Sequence, residues 1–194
     1  KSISIVNSET GTGADNVEAD GSKFNLVGNP YPSFIAANNS ADATNNTLKV
    51  NDTDNDYLAE STLWFWNQAT NSYDLVNQAS SSFFIAPGQA FFVSASGSHP
   101  FSFTEAMQSH QTSDTFKSSD SRPEINLVMT NGADVRDADI YYIDGTTTGF
   151  DNGYDSSIFG GVTNEFAIHT QTVANGTGRD LGIQSLPNND FENM

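Results

Sequence analysis

The chain is organised around the segment STLWFWN at residues 61–67 and its sequel NSYDLV at residues 71–76. Both segments are rich in the apolar and aromatic residues that form strands, and the residues between them are of the polar kinds that favour turns. Together they predict a β-hairpin that contains both tryptophans of the chain.

The first strand of this hairpin is apolar on both faces. Side chains alternate along a strand, so Trp64 and Trp66 share one face while Leu63 and Phe65 share the other. A strand with this pattern is typically covered on both sides, so we expect it at the centre of its sheet. The tryptophans are therefore candidates for the core as well as for ligand contact.

Short segments with alternating polarity recur along the rest of the chain and are separated by turn residues. Further strands are predicted at residues 2–6, 23–28, 82–86, 90–95, 101–103, 124–130, 138–143, 166–172 and 181–185. About ten short strands predict an all-β fold, either a jelly-roll-like β-sandwich or two small packed antiparallel sheets.

The segments between the predicted strands carry their own signals. Residues 7–21 are typical of a long hairpin loop, and residues 34–49 are the one place for a short helix. The segment NPYPS at residues 29–33 predicts a rigid corner, because its prolines lack backbone donors and impose extended backbone on the residues before them. Tyr31 either packs in that corner or binds a ligand.

A stretch rich in serine, aspartate and threonine at residues 109–122 is the best candidate for an internal boundary. It separates a first part, residues 1–108, which holds the tryptophan hairpin, from a second β portion, residues 123–194. We expect the second part to pack on the first as one compact unit. Since the chain begins at Lys1 and the pattern of residues 181–194 breaks off, we expect a piece excised from a longer protein.

The chain is strongly acidic. Its 194 residues include 7 lysines and arginines against 24 aspartates and glutamates, which gives a formal charge of −17. Such a field repels nucleic acid and anionic membrane surfaces, and it disfavours highly sulfated glycans unless calcium or a basic patch intervenes. Cysteine is absent, which excludes disulfides and thiolate chemistry. No apolar run approaches the roughly 20 residues of a membrane-spanning helix.

The sequence does not favour an enzyme. Its three histidines have no metal-ligand spacing, and the Gly-Xaa-Ser-Xaa-Gly motif of serine hydrolases is absent. Pairs of carboxylates could hydrolyse a glycosidic bond, but 24 acids will always supply some pair. We therefore predict a non-catalytic protein.

A structural calcium ion is a candidate cofactor, because this hard cation takes six to eight oxygen ligands. Two acidic groups could supply them: Asp52, Asp54 and Asp56 in one loop, and Asp144, Asp151 and Asp155 in another. The first loop is not an EF-hand, since Tyr57 stands where that motif needs glycine and Leu63 where it needs glutamate. The alternatives are a solvated acidic loop at the first group and side chains that cap their own turn at the second.

Sugar binding requires exposed aromatic rings beside polar side chains, because pyranose C–H faces stack on rings while hydroxyls form hydrogen bonds. Tyr141 and Tyr142 are adjacent on one predicted strand, so we expect one of them to be exposed. The candidate ligand-binding residues are Trp64, Trp66, Tyr141, Tyr142 and Tyr154.

Four motifs occur in order: FNLVGNPYPS at 24–33, LWFWN at 63–67, IAPGQAFFV at 85–93 and GFDNGYD at 149–155. Together they resemble a β-rich module found near the C-termini of large secreted proteins of Bacteroidota. In those proteins the module typically precedes the C-terminal sorting domain of the type IX secretion route. The resemblance covers residues 20–187, and the sorting domain is not part of this sequence.

The resemblance implies a secreted or cell-surface location and an accessory role beside another domain, often a polysaccharide-degrading enzyme. We therefore expect a carbohydrate-binding module whose partners are a neutral or weakly charged polysaccharide and the other domains of its parent protein. The alternative is a structural spacer or interaction module that positions a sorting domain and has no glycan ligand. An exposed row of aromatic residues would favour binding, and wholly buried tryptophans would favour the spacer.

Overall fold

A computed structural model describes residues 1–9, 22–110, 122–159, 166–172 and 178–189, and strands dominate these ranges. In chain order the strands are β1 (Ser2–Ile5), β2 (Phe24–Gly28), β3 (Phe34–Ala36), β4 (Leu58–Asn67), β5 (Ser72–Asn77), β6 (Phe84–Ile85), β7 (Ala90–Ala95), β8 (His99–Ser102), β9 (Gln108–Ser109), β10 (Glu124–Thr130), β11 (Val135–Tyr142), β12 (Ser156–Ser157), β13 (Thr170–Gln171) and β14 (Asp180–Leu186). The predicted all-β, sandwich-like class is confirmed.

The tryptophan hairpin forms as predicted. β4 and β5 pair antiparallel from Thr62 opposite Asn77 to Asn67 opposite Ser72. Asn71 in the turn adopts a φ of 52°, a left-handed conformation that asparagine tolerates better than most residues. β4 lies between β7 and β5 in a four-stranded sheet of order β2-β7-β4-β5, so its predicted central position is also confirmed.

The inner face of this sheet forms the main core. Leu63, Phe65, Phe91 and Val93 point into it and are almost wholly buried. The rings of Phe65 and Phe91 lie 5.3 Å apart between centroids, within the range of favourable aromatic pairs. A three-stranded sheet of order β6-β3-β9 and the pair β1-β8 contribute further core residues, which include Ile35.

The outer face of the same sheet carries the second part of the chain. That part forms a sheet of order β10-β11-β14-β12, in which β11 and β14 are parallel and β13 also pairs with β14. Phe159, just after β12, packs on the outer face, with ring centroids 4.4 Å from Tyr73 and 4.6 Å from Phe24. Residues 111–121 of the predicted connection lie outside the described residues.

The predicted hairpin between the first two strands is wrong. β1 pairs with β8, from Ser2 opposite Ser102 to Ile5 opposite His99, whereas β2 pairs with β7. The Asn25 side chain joins the end of β1 to β2 instead, because it accepts from the backbone of Val6 and donates to the same residue's carbonyl. An amide side chain thus makes the two hydrogen bonds that a strand partner would make.

The predicted helix at residues 34–49 is also displaced. Residues 34–36 form β3, and a short π-helical turn occupies Lys49–Thr53, overlapping the start of the acidic loop expected at residues 51–56. Asn51 at its centre is wholly buried. Its amide nitrogen donates to the Ser102 carbonyl and its amide oxygen accepts from the Ser102 N–H, so both polar groups of the buried side chain have partners. Among the described residues, no helix has the length and hydrophobicity to cross a membrane.

The two faces of β7 predict unequal responses to truncation. Phe91→Ala should lower the free energy of unfolding by about 3–5 kcal/mol, because it leaves a cavity in the main core. Phe92, half-buried on the outer face, is the matched control, and Phe92→Ala should cost less. Urea unfolding of both variants measures the difference, and equal losses would contradict the assignment of faces.

Candidate functional site

The structure separates the two tryptophans. Trp64 has no exposed surface, its Nε1 donates to the Ser157 carbonyl at 3.2 Å, and the Phe24 ring meets it edge-on at 5.3 Å. The second part of the chain covers this end of the outer face, so Trp64 offers no ring to a ligand. This corrects its selection as a sugar-binding residue.

Trp66 lies at the open end of the same face. Its side chain is 49% exposed and meets the Tyr73 ring edge-on at 5.1 Å. Tyr73 in turn contacts the ring of Phe92 at 6.0 Å, and Leu26, paired with Phe92 in the register of β2 and β7, is exposed. We call the surface formed by Leu26, Trp66, Tyr73 and Phe92 the aromatic face.

Polar chemistry borders the aromatic face at the hairpin turn. The exposed Gln68 accepts a hydrogen bond through Oε1 from Trp66 Nε1 at 3.3 Å, which leaves its amide nitrogen available for a ligand hydroxyl. The Tyr73 hydroxyl has a hydrogen to donate at neutral pH, as any tyrosine does, and burial raises its pKa further. The surface combines ring faces with hydrogen-bonding groups, which is the chemistry that sugar recognition requires.

Tyr141 and Tyr142 are both buried, although one of them was expected at the surface. Their side chains lie on opposite faces of β11, and both faces are covered at this end of the strand. The Arg122 guanidinium lies 3.7 Å from the Tyr141 ring centroid, and the Tyr141 hydroxyl donates to Asp139. Burial raises the Tyr141 pKa, with Asp139 adding to the shift. Neither ring is a stacking platform.

Tyr154 is the other predicted residue with an exposed ring, at 43% exposure. Its backbone is firmly held, because its carbonyl accepts from Asn77 Nδ2 at 3.0 Å and from Ser185 Oγ at 2.7 Å, while its N–H donates to Asp151. A rigid backbone beneath an exposed ring lowers the entropic cost of stacking a ligand on it.

The carboxylates of the second acidic group are occupied by their own turn. Asp155 is wholly buried and accepts from the N–H groups of Asp151 and Ser185, both at 2.6 Å. Asp151 accepts from the backbone and hydroxyl of Thr147. Asp144 is exposed and lies apart from these bonds. The arrangement matches the alternative of side chains that cap their own turn.

The first acidic group lies on and after the π-helical turn. Asp54 pairs with Lys49 at 3.1 Å, Asp56 is exposed with a φ of 57°, and Asp52 is half-buried. Burial raises the pKa of Asp52. Within the described part of the chain, no cluster of three or more histidine, aspartate or glutamate side chains lies close enough to hold a metal. Calcium stays a prediction.

Sequence reasoning missed the residues that join the two parts. Glu60 is 1% exposed and lies 3.7 Å from Lys23 Nζ and 3.3 Å from Arg179 Nη2, and it accepts from the Ser157 N–H. A charged residue beside an apolar strand was the available signal. It could not reveal its partners, because Arg179 is 119 residues away in sequence.

Burial of Asp155 predicts a pH dependence. Its pKa is raised from 3.8 to about 6, mainly by burial, so the folded state holds a proton that the unfolded chain has released between these values. Stability therefore falls as pH rises from about 4 to about 6, by on the order of 3 kcal/mol from this group.

Thermal unfolding between pH 4 and pH 7.5 checks this dependence, and the melting temperature should be highest in mild acid. Asp155→Asn removes the titrating group, so the variant should be less stable but show a shallower pH slope. A slope equal to that of the original chain would assign the effect to general charge repulsion instead.

Comparison with known proteins yields a family and no function. Neither a search of curated proteins nor a search of solved structures gives a match. The family model described as a domain of unknown function, DUF8693, matches residues 2–185, nearly the whole chain. On that match the chain belongs to the DUF8693 family.

Proposed function

We propose that this chain is a non-catalytic carbohydrate-binding module of a larger secreted or cell-surface protein that acts on polysaccharide. The observation that supports the proposal is the exposed Trp66 ring, which meets the half-buried Tyr73 ring edge-on. A row of aromatic and apolar side chains on a sheet suits an extended chain of sugar rings, which contact it through their C–H faces.

The negative charge of the chain disfavours polyanionic polysaccharides as ligands. At −17, the protein repels polyanions over a Debye length of roughly 10 Å in dilute salt, so a neutral or weakly charged glycan is the proposed ligand. The aromatic face itself carries no charged side chain, which suits stacking against uncharged sugar rings.

The resemblance to the Bacteroidota module supports the proposed setting, with other domains of the parent protein as partners. Two of its motifs meet in a single corner. Asn29 Nδ2 donates to the carbonyls of Ser33, Ile85 and Ala86, and the Tyr31 hydroxyl donates to Phe103. These bonds make the motif residues parts of the framework, so the ligand contacts must come from residues outside that corner.

The alternative function is a structural spacer that positions a C-terminal sorting domain. The burial of Trp64 and the structural use of the NPYPS corner favour it, because both features serve packing alone. A spacer binds no glycan, so the two proposals differ in one measurable property.

Affinity gel electrophoresis through a panel of neutral and charged polysaccharides tests the proposal. At least one neutral polysaccharide should retard the chain, and Trp66→Ala should weaken that retention about tenfold, equivalent to about 1.4 kcal/mol. Val128→Ala is the matched control, because Val128 on β10 is 60% exposed and lies outside the aromatic face. Unretarded migration in every gel would favour the spacer.

A structural calcium ion belongs to the same proposal. Calcium should raise the melting temperature, because a dication relieves self-repulsion at −17 and stabilises by roughly 2.7 kcal/mol at a hundredfold excess over Kd. Magnesium at equal ionic strength is the control, since it demands a stricter octahedral geometry. Equal melting temperatures in calcium, magnesium and chelator would refute a calcium site at either acidic group.

A further inference from the structure

A second concave surface lies away from the aromatic face, where the two parts of the chain meet. It is a cleft of about 400 Å³, bordered by Gln78 and Ala79 after β5, by Arg122 at the end of the connection, and by Tyr142, Tyr154 and Asn188 from the second part. This volume is at the small end of the range for ligand pockets, so it suits one compact ring better than an extended chain.

The walls of the cleft are held in place by hydrogen bonds between the two parts. Gln78 donates its N–H to the Gly153 carbonyl at 3.1 Å, one residue before Tyr154. Asn77 Nδ2 donates to the Tyr154 carbonyl at 3.0 Å. The cleft is therefore a preformed feature of the fold, and a ligand would not have to order it.

Asn188 supplies an unmet hydrogen-bonding demand in this cleft. Its Oδ1 atom is buried and accepts no hydrogen bond from any described residue. A buried acceptor without a donor is unfavourable, so a rotation of the Asn188 side chain that brings Oδ1 to a ligand hydroxyl in the cleft gains a hydrogen bond without breaking an existing one. A sugar ring also needs a flat apolar surface to stack on, and the exposed Tyr154 ring provides one.

The charges at the cleft do not favour an anionic ligand. The Arg122 guanidinium stacks on Tyr141, donates from Nη1 to the Ala79 carbonyl and lies 3.8 Å from Glu124 Oε2. Asp144 also borders the cleft and is exposed. Because the cation is engaged and two carboxylates are near, an anionic ligand gains little, and the wall is polar enough to suit hydroxyl groups.

From this combination we propose that the cleft binds a single neutral sugar residue, stacked on Tyr154 with one hydroxyl donating to Asn188 Oδ1. The residue is either a free monosaccharide or the terminal unit of a chain. This site shares no residue with the aromatic face and rests on different observations. A result that refutes one site therefore leaves the other proposal standing.

Saturation-transfer difference NMR with glucose, galactose, mannose, xylose and N-acetylglucosamine tests the cleft in the whole chain. At least one of these sugars should bind with a Kd on the order of 1 mM or tighter. Glucuronate, which differs from glucose by a carboxylate, should bind more weakly than glucose. An oligosaccharide ending in the same sugar distinguishes the two sources, since equal affinity means that only the terminal unit is recognised.

Three variants locate the binding. Tyr154→Ala and Asn188→Ala should each weaken monosaccharide binding about tenfold, whereas Val128→Ala, at an exposed residue outside both proposed sites, should leave it unchanged. Tyr154 is exposed and Asn188 Oδ1 is unsatisfied, so neither variant should lower the melting temperature. Absence of binding by every sugar of the panel, or full binding by the Tyr154 variant, would overturn the cleft site. If a monosaccharide binds but no polysaccharide retards the chain in the affinity gels, only the proposed role of the aromatic face is overturned.

Discussion

A buried ionic cluster holds the two parts of this fold together. Glu60 on β4 is almost inaccessible to solvent, and it meets Lys23 beside β2 and Arg179 beside β14. Such a cluster contributes little net stability when complete, but removal of one partner leaves an uncompensated buried charge. In a chain without cysteine, this mutual dependence is one of the contacts that hold distant segments in one geometry.

Both candidate sites depend on that geometry. Glu60 accepts from the N–H of Ser157, two residues before Phe159, so it helps to fix how far the second part extends over the outer face. The Phe159 ring packs on Tyr73, and the neighbouring Trp66 side chain remains exposed. On the other side of the junction, the Tyr154 carbonyl is held from both parts, which forms one wall of the cleft. The aromatic face and the cleft therefore lie at two edges of the contact between the two parts of the chain.

The alternation of polar and apolar residues was sufficient to predict the longer strands, because a strand repeats every two residues and the pattern is visible in neighbouring positions. The two- or three-residue strands β3, β9 and β12 were missed, since they are too short to show such a pattern. β7 (Ala90–Ala95) and β10 (Glu124–Thr130) begin and end where the pattern does. Pairing was harder, since β1 joins β8 about a hundred residues later and nothing in either segment specifies the other. Which tryptophan is exposed was out of reach for the same reason: the answer depends on Phe159, a residue far away in sequence.

The asparagine side chains of this protein often act as pieces of backbone. Asn29 supplies hydrogens to three carbonyls, and Asn51 exchanges a donor and an acceptor with Ser102 as a strand residue would. Aspartate has nearly the same shape, but at these positions it would set a negative charge against carbonyl oxygens. An acidic side chain is therefore tolerated on the exposed surface of this protein but not at Asn29 or Asn51, where the amide hydrogens are needed.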